Sequence, residues 1–295
     1  MMPTPPTPAS GLPAERDSPR CLARLATPFQ TIEVWENTIA GRFYTLDGRP
    51  MSAVADEYIY HECMTHPAAL AHGMPKRALV LGGGDAGAAR ELLKHPSITT
   101  VSVAELDAQV VAMTRQYFPS FHQGAFDDPR VAVTIGDAAD FVRAHIAHDV
   151  APFDLAVFDL TPPDSPARGL FSVPFLQQLK SVLTRPGVVS VHLGSPDAEA
   201  ERVRHVWRNL HAAFGWVAVM VADIPLYGGR WAMALAGDDP AGDPRAATPE
   251  HVAADLASRD LGALRYYNAA RHHTLFAPHP ELDALAPEPS KPLSE

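Results

Sequence analysis

A glycine-rich turn that contains one carboxylate is the first feature of this sequence with chemical consequences. The segment GGGDAG, residues 82–87, follows the apolar run RALVLG and precedes a helical pattern. Glycines at such a turn let the backbone approach a ligand at the carboxyl edge of a parallel sheet. Gly82, Gly84 and Gly87 also fit the GxGxxG pattern of dinucleotide-binding proteins, which is a weak signal when it stands alone.

Asp85 lies inside this turn and bears on which ligand it would hold. A carboxylate at this position would repel a pyrophosphate, whereas it would attract the cationic end of a sulfonium nucleoside. The structural alternative is a tight turn with a solvated aspartate. We favour the nucleoside because the other acidic residues follow the same strand-end pattern.

Two acidic residues end or follow the next predicted strands. Glu105 ends the second strand, roughly twenty residues past the glycines, where an acid accepts both ribose hydroxyls of NAD or of a sulfonium nucleoside. Asp137, followed by Ala138, comes after the third strand and is placed to accept a hydrogen bond from an adenine amino group. Asp is also a common helix N-cap, and the spacing leaves both interpretations of Asp137 open.

Asp159 ends the fourth predicted strand and precedes a proline-rich loop, where catalytic loops of doubly wound folds lie. A nucleophile in alkyl transfer to an amine must be neutral. An amine with a pKa near 10 is neutral in about one part in 10³ at pH 7, so deprotonating the ammonium at this pH costs roughly 4 kcal/mol. A carboxylate that accepts the proton would lower this barrier, and Asp159 is the candidate base.

Short apolar runs alternate with helical patterns along most of the chain. This alternation predicts an α/β fold, a Rossmann-like methyltransferase-type doubly wound sheet, over residues 56–278, with the last two strands antiparallel. Residues 24–55 alternate in hydrophobicity and contain a turn at Asp47-Gly48, which predicts a small N-terminal β domain. A helix that opens near Asp56 links the two domains.

The two ends of the chain and its composition carry less information. Residues 1–23 and 279–295 are proline-rich, and we expect a flexible leader and a flexible tail. The net charge of −10 argues against a nucleic-acid partner, and no apolar run is long enough for a membrane span. Cys21 and Cys63 are too few for a disulfide framework, which favours a cytoplasmic protein.

Between about residues 27 and 276 the chain resembles the spermidine synthase family of polyamine aminopropyltransferases. The resemblance implies decarboxylated S-adenosylmethionine as co-substrate, no other cofactor, aminopropyl transfer to a small-molecule diamine or polyamine, release of methylthioadenosine, and a homodimer. The segments that carry it are TPFQTIEVWE, LDGRPMS, ADEYIYHECMTHP, RALVLGGGDAGAARELLKHPSI, the acid in VAELD, DDPRVAVTIGDAADFV, DLTPPDSPARGLFS, IPLYGGRWAMALAG and LRYYNAARHHTLFA.

The resemblance also implies roles for individual residues. A first group would bind the donor nucleoside or line its pocket: Gln30, His61, Gly82, Gly84, Asp85, Glu105, Asp137 and Ala138. A second group would face the reacting amine, with Asp159 as base: Tyr60, Asp159, Tyr227, Trp231 and, within the loop, Asp164.

Two positions depart from the family pattern. Pro162 stands where the family usually has a second acid, with Asp164 two residues later. Either Asp164 replaces the missing charge, or the pocket prefers a longer or less charged amine. We expect the altered preference. Ala86 replaces a glycine of the turn, and we expect its methyl group, beside the donor, to be tolerated.

Two rival functions follow from the same residues. The first is a methyltransferase that uses S-adenosylmethionine, which Asp85 disfavours because the carboxylate of that donor would meet another carboxylate. The second is a donor-binding protein with weak catalysis, motivated by Pro162.

Other chemically suggestive residues receive structural interpretations. HECMTH, residues 61–66, has one residue too many for the HExxH zinc pattern, and we expect no metal site. His272 and His273 are expected on a solvated helix face. Trp207 and Trp216 are expected in the core or in a pocket wall.

Overall fold

The computed structural model describes residues 18–162 and 165–286. The N-terminal part is an antiparallel sheet of four strands in the order β1-β2-β3-β4. Asp47 and Gly48 have φ angles of 50° and 77°, the two positive values that a type I′ hairpin turn requires, so the predicted turn is confirmed. The strands are β1 (Arg20–Ala26), β2 (Thr31–Asn37), β3 (Gly41–Leu46) and β4 (Arg49–Ala53).

The remaining chain forms a seven-stranded sheet in the order β10-β11-β9-β8-β5-β6-β7. Strands β5 to β9 are parallel, and the last two strands, β10 and β11, are antiparallel, as predicted. Strand β11 also runs antiparallel to β9. The predicted Rossmann-like doubly wound α/β fold is therefore confirmed. Its elements are α1 (Glu57–His72), β5 (Arg77–Gly82), α2 (Gly87–Leu93), β6 (Thr100–Glu105), α3 (Ala108–Tyr117), α4 (Pro119–His122), β7 (Val131–Ile135), α5 (Ala138–Ala147), β8 (Phe153–Asp159), α6 (Val173–Ser181), β9 (Leu183–Gly194), α7 (Ala200–Ala213), β10 (Trp216–Ile224), β11 (Gly229–Gly237), α8 (Pro249–Arg259), α9 (Ala269–Leu275) and α10 (Pro280–Asp283).

Helices cover both faces of this sheet, which explains why its central strands are apolar throughout. Successive side chains of a strand point to opposite faces. In β5, Leu79 and Leu81 pack into one core with α6 and α7, and Ala78 and Val80 pack into the other with α1 and α2. The carboxyl ends of these strands therefore form one rigid edge, and the site residues lie along it.

Helix α1 is unusual because its buried surface includes many polar side chains. The fully buried carboxylate of Glu62 accepts the backbone N–H groups of residues 265–267 at 2.7–2.9 Å, which fastens the C-terminal segment to the helix. Asp56 occupies the N-cap position, as predicted. Its side chain accepts the N–H of Leu226 at 2.7 Å and makes no capping bond. Helix α1 is thus tied to the β11 side of the sheet.

Three expectations about the chain ends are wrong. Strand β1 begins at Arg20, so residues 20–23 pair with β2 and are not part of a leader. Helix α10 lies in the expected tail, and its Leu282 packs into the core with 6% exposure. His272 is buried rather than solvated. Its ring forms hydrogen bonds with the Tyr267 hydroxyl and the Pro244 carbonyl. No helix in the described ranges is long and apolar enough to cross a membrane.

A buried ion network beneath the sheet edge gives a stability prediction. Arg90, 6% exposed, donates to both carboxylate oxygens of Glu57 at 3.0 and 2.9 Å and to Glu91 at 2.8 Å. We expect Arg90→Met to lower the free energy of unfolding by about 3 kcal/mol, because two buried carboxylates each lose one of their cationic partners while His61 and Lys94 remain. Urea denaturation measures it. Arg115→Met, which breaks an exposed pair with Asp127, is the control and should cost about 1 kcal/mol or less. Equal losses of unfolding free energy in Arg90→Met and Arg115→Met would contradict the stabilising role of the buried network.

Candidate active site

A cavity of about 690 Å³ lies between the N-terminal sheet and the carboxyl edge of the parallel strands. Most of the residues singled out from the sequence line it. Those residues are Gln30, Tyr60, Gly82, Gly84, Asp85, Glu105, Asp137, Ala138, Asp159, Tyr227 and Trp231. Two differ: Asp164 lies outside the described residues, and His61 is fully buried behind the cavity wall and does not line it.

The ends of β5, β6 and β7 form one half of the cavity, which we call the donor half. Glu105 accepts the N–H groups of Gly84 at 3.0 Å and Asp107 at 2.8 Å. Burial raises the pKa of Glu105 to about 7. Gly82 has a φ angle of 76°, and a Cβ there would lie 2.2 Å from the carbonyl oxygen of Asp159, so glycine is required.

Asp137 is the residue whose spacing left two interpretations open, N-capping and adenine recognition. Its Oδ1 accepts the N–H groups of Ala139 at 2.7 Å and Asp140 at 3.2 Å, so it is the N-cap of α5. It also lines the cavity. N-capping is therefore confirmed, and adenine recognition stays a prediction.

Asp85 is buried and held from both domains. Its carboxylate accepts the hydroxyl of Ser52 at 2.8 Å, the hydroxyl of Tyr44 at 3.3 Å and the N–H of Gly87 at 2.9 Å. Burial alone would raise its pKa, but the neighbouring His61 and these hydrogen bonds outweigh burial and hold the pKa of Asp85 below its usual range. Asp85 is therefore ionised at neutral pH.

Ala86, the next residue, does not point its methyl group toward the cavity, contrary to expectation. It adopts a left-handed conformation with φ 57° and is buried in the core beside α1. A non-glycine residue with this φ carries backbone strain of about 1 kcal/mol. Alanine in place of the family's usual glycine at position 86 therefore strains the backbone and does not narrow the donor half of the cavity.

His61 lies beside three acids. Its Nδ1 is 2.7 Å from Glu57, and its Nε2 is 3.5 Å from Asp85 and 3.9 Å from Asp159. Burial lowers the pKa of a histidine, but here Asp85, Glu57 and Asp159 outweigh burial and raise the pKa of His61 well above its usual value. His61 is therefore an imidazolium that offsets the negative charge of the neighbouring aspartates. A Cβ on Gly87 would lie 2.3 Å from this ring.

Asp159 has the environment expected of a base. Burial raises its pKa to about 7, repulsion from Asp85 adds to the rise, and His61 partly offsets it. Its Oδ2 has no hydrogen-bond partner among residues 18–162 and 165–286. That oxygen is buried, 3.9 Å from Nε2 of His61, while Asp159 as a residue lines the cavity. A cavity-lining carboxylate with a pKa of about 7 is suited to accept a proton.

Two tyrosines form the wall beside Asp159. The Tyr60 hydroxyl donates weakly to the carbonyl of Phe158 at 3.4 Å, and the Tyr227 hydroxyl donates to the carbonyl of Met51 at 2.6 Å. Their ring centroids are 6.2 Å apart. Since both hydroxyls point at backbone carbonyls, the rings supply a shaped wall for the alkyl part of a substrate.

His61, Asp85 and Asp159 also offer ligand atoms that all lie within 4.8 Å of one another. As an imidazolium, His61 has no lone pair to give a metal ion. The group therefore presents two carboxylates, those of Asp85 and Asp159, and both residues line the cavity.

Sequence reasoning missed the side chains that reach the site from elsewhere in the chain. Tyr44 and Ser52 belong to the N-terminal sheet and hold Asp85. His192, at the end of β9, and Arg202, on α7, line the cavity beyond Asp159. The strand-end position of His192 is a signal that could have identified it.

A sequence profile described as "Spermine/spermidine synthase domain" matches residues 57–241, more than half of the chain. The chain belongs to the spermine/spermidine synthase family. It is 37% identical over 274 residues to the polyamine aminopropyltransferase of Nitrosomonas europaea, covering 93% of this chain and 82% of that protein. It is 36% identical over 269 residues to that of Erwinia tasmaniensis, covering 90% and 92%.

Solved structures of the family agree with the fold. A spermidine synthase in complex with the transition-state analogue AdoDATO has a TM-score of 0.81 and 30% identity, covering 90% of this chain and 88% of that one. The spermidine synthase of Thermotoga maritima has a TM-score of 0.80 and 30% identity, with 90% and 87% covered. The family resemblance noted in the sequence is therefore confirmed.

The electrostatics of the cavity predict two carboxyl groups with unusual titrations. In ligand-free protein labelled with ¹³C at the side-chain carboxyls, the signals of Asp159 and Glu105 should titrate near pH 7, because burial raises both pKa values to about 7. Asp159→Asn and Glu105→Gln should each remove one of these signals. If every carboxyl titrated below about pH 5, the ordinary range of such groups, the charge assignment would be wrong.

Proposed function

We infer that this chain is a polyamine aminopropyltransferase. It moves the aminopropyl group of decarboxylated S-adenosylmethionine to a primary amine and releases methylthioadenosine. The observation that carries this function, beside membership of the family, is the pair of aspartates in one cavity. Asp85 is ionised and suits a cationic donor, and Asp159 has a pKa of about 7 and suits the removal of a proton.

We propose that the donor half holds the nucleoside. Glu105 would accept the ribose hydroxyls, and Asp137 with the backbone at Ala138 would meet the adenine. Gln30 would close this half from the N-terminal sheet, since it lines the cavity and its side-chain amide donates to Asp107 at 3.3 Å. Asp85 would bind the ammonium of the aminopropyl chain.

The transfer requires a neutral amine nitrogen beside Asp159. The carboxylate of Asp159 would accept a proton from the incoming ammonium. In water at pH 7 only about one part in 10³ of such an amine is neutral. The nitrogen then forms a bond to the terminal carbon of the aminopropyl chain that is attached to sulfur. The carbon–sulfur bond breaks, its electron pair returns to sulfur, and the sulfonium becomes a neutral thioether.

Methyl transfer from S-adenosylmethionine is the main alternative, and Asp85 argues against it. The carboxylate of that donor would have to lie against a buried, ionised aspartate, which is a repulsive contact. A binding protein without catalysis is the second alternative. It is disfavoured because Asp159, whose pKa is raised to about 7, lines the same cavity as the ionised Asp85.

We further propose that no metal or additional cofactor takes part, because the donor ammonium and the acceptor amine are cations that suit the group formed by Asp85 and Asp159. A homodimer and a cytoplasmic location remain proposals from the family resemblance and the low cysteine content.

Donor selectivity tests the role of Asp85. We expect decarboxylated S-adenosylmethionine to bind at least tenfold more tightly than S-adenosylmethionine, a difference of about 1.4 kcal/mol, measured by calorimetry. Asp85→Asn should narrow the gap, because it removes the charge that repels the extra carboxylate. Asp127→Asn, an exposed aspartate paired with Arg115, is the matched control and should keep the gap. Equal affinities of the parent protein for both donors would favour methyl transfer.

Turnover tests the role of Asp159. We expect Asp159→Asn to lower kcat by roughly 10² to 10⁴, the usual effect of losing a general base, and to leave donor affinity largely unchanged. In the parent enzyme the rate at saturating donor should fall as the pH drops below about 7, since protonation removes the base. The rate of methylthioadenosine formation measures both the turnover of the variant and the pH dependence of the parent enzyme. A rate within a few-fold of the parent would assign the base elsewhere, and a loss of donor binding would place Asp159 in the nucleoside pocket.

A further inference from the structure

Glu57, in the first turn of α1, is a buried charge beside the active site that the proposed reaction does not use. It does not line the cavity. Arg90 donates to both of its carboxylate oxygens at 3.0 and 2.9 Å, and Nδ1 of His61 lies 2.7 Å from its Oε2. Burial raises the pKa of Glu57, but His61 and Arg90 outweigh burial and lower it. Glu57 is therefore a carboxylate held between two cations.

The contact with Glu57 fixes the orientation of the His61 ring. A carboxylate only accepts hydrogen bonds, so Nδ1 of His61 carries a proton and donates it to Glu57. The ring is fully buried and lies against the backbone of Gly87, where a Cβ would collide with it. Contacts on two sides therefore hold the imidazolium in one position.

The opposite nitrogen of the ring faces the two aspartates of the site. Nε2 of His61 is 3.5 Å from Oδ1 of Asp85 and 3.9 Å from Oδ2 of Asp159. Neither Nε2 of His61 nor Oδ2 of Asp159 has a hydrogen-bond partner within residues 18–162 and 165–286, so these two atoms interact through charge alone. An opposite charge within about 4–6 Å lowers the pKa of an aspartate by about 1–3 pH units.

The other ionisable groups around this pair are acids or neutral side chains. Asp85 and Glu105 repel an ionised Asp159. Burial keeps the surrounding tyrosines and His192 neutral, because it raises the pKa of each tyrosine well above its usual value and lowers the pKa of His192 to about 3. The groups that face His61 or Asp159 are Glu57 and Tyr60 of α1, Asp85 after β5, Glu105 of β6, His192 of β9, Tyr227 before β11 and Tyr44 of the N-terminal sheet.

We propose that Glu57 is a positioning residue for aminopropyl transfer: it holds the His61 imidazolium beside Asp159 and so determines the pH above which Asp159 acts as the base. The inference rests on the proposed function. Without the charge of Glu57, the guanidinium of Arg90 and the imidazolium would repel each other, and His61 would release its proton more readily. Asp159 would then bind its own proton more tightly, because the neighbouring positive charge is lost.

The pH dependence of turnover tests this role. We expect Glu57→Gln, a change that keeps the shape and removes the charge, to move the acidic fall of kcat for methylthioadenosine formation up by about one pH unit. The rate should then be about fivefold lower at pH 7 and within about twofold of the parent at pH 9, where Asp159 is ionised in both proteins. Glu57→Asp keeps the charge and should restore most of the activity at pH 7. A loss of rate that is uniform at every pH would overturn the inference.

Glu91→Gln is the matched control. Glu91 is also buried, accepts from the same Arg90 at 2.8 Å and pairs with a different histidine, His66, at 2.9 Å. Neither Glu91 nor His66 lines the cavity. Both glutamine variants should lower the free energy of unfolding in urea, but only Glu57→Gln should move the acidic fall of kcat. Equal movement in both variants would contradict a specific role of Glu57.

A double variant tests whether Glu57 acts through His61. His61→Asn removes the imidazolium outright and should move the acidic fall of kcat at least as far as Glu57→Gln. Adding Glu57→Gln to His61→Asn should then move it no further, because the two changes remove the same interaction. Additive movements would mean that Glu57 acts on Asp159 without His61, and the inference would be wrong.

Two measurements on ligand-free protein separate this inference from the proposed function. The ¹⁵N signals of the His61 ring in the parent should show both nitrogens protonated at about pH 7.5, above the ordinary pKa of a histidine. The ¹³C carboxyl signal of Asp159 should titrate about one pH unit higher in Glu57→Gln than in the parent. A neutral His61 at that pH would overturn the inference, with or without turnover. No methylthioadenosine from the parent at any pH, with a panel of diamines and polyamines, would overturn the proposed function instead.

Discussion

Repulsion between Asp85 and Asp159 is the constraint on which the active site depends. Their carboxylate oxygens lie within 4.8 Å of each other, and two like charges at that distance repel by about 3 kcal/mol at an effective dielectric constant of 20. Two features relieve this repulsion: His61 lies next to both acids as an imidazolium, and the pKa of Asp159 rises to about 7. Glu57 and Arg90 hold His61 from behind. This arrangement explains why helix α1 buries Glu57 and His61 in its first turns.

The small N-terminal sheet contributes to both halves of the cavity although its own core is small. Ser52 bonds to Asp85 in one half, and the carbonyl of Met51, the preceding residue, accepts from Tyr227 near the other. Thr27 donates to Asp107 at 2.7 Å and fastens the start of β2 to the loop after β6. The relative position of the two aspartates is therefore fixed by contacts across the domain boundary as well as by the parallel sheet.

The features that could be predicted from the sequence are those with a local cause. Glu105 and Asp159 end apolar runs, and the carboxyl ends of parallel strands meet at one edge, so their convergence followed from the pattern. The depth of His61 could not be predicted, because α1 is buried on most of its surface and its sequence does not mark one face. Ser52 lies 33 residues from Asp85, and such long-range contacts leave no periodic signal. His272 was placed on the surface from its residue type, but tertiary packing of α9 buries it.

The position of Asp85 has a consequence for the end of the proposed reaction. If Asp85 binds the ammonium of the aminopropyl chain, that ammonium leaves the nucleoside and becomes part of the alkylated amine, while the sulfonium becomes a neutral thioether. The buried, ionised carboxylate then holds the amine product and no longer attracts the nucleoside product. The same charge that selects the donor would thus favour departure of the nucleoside before the amine.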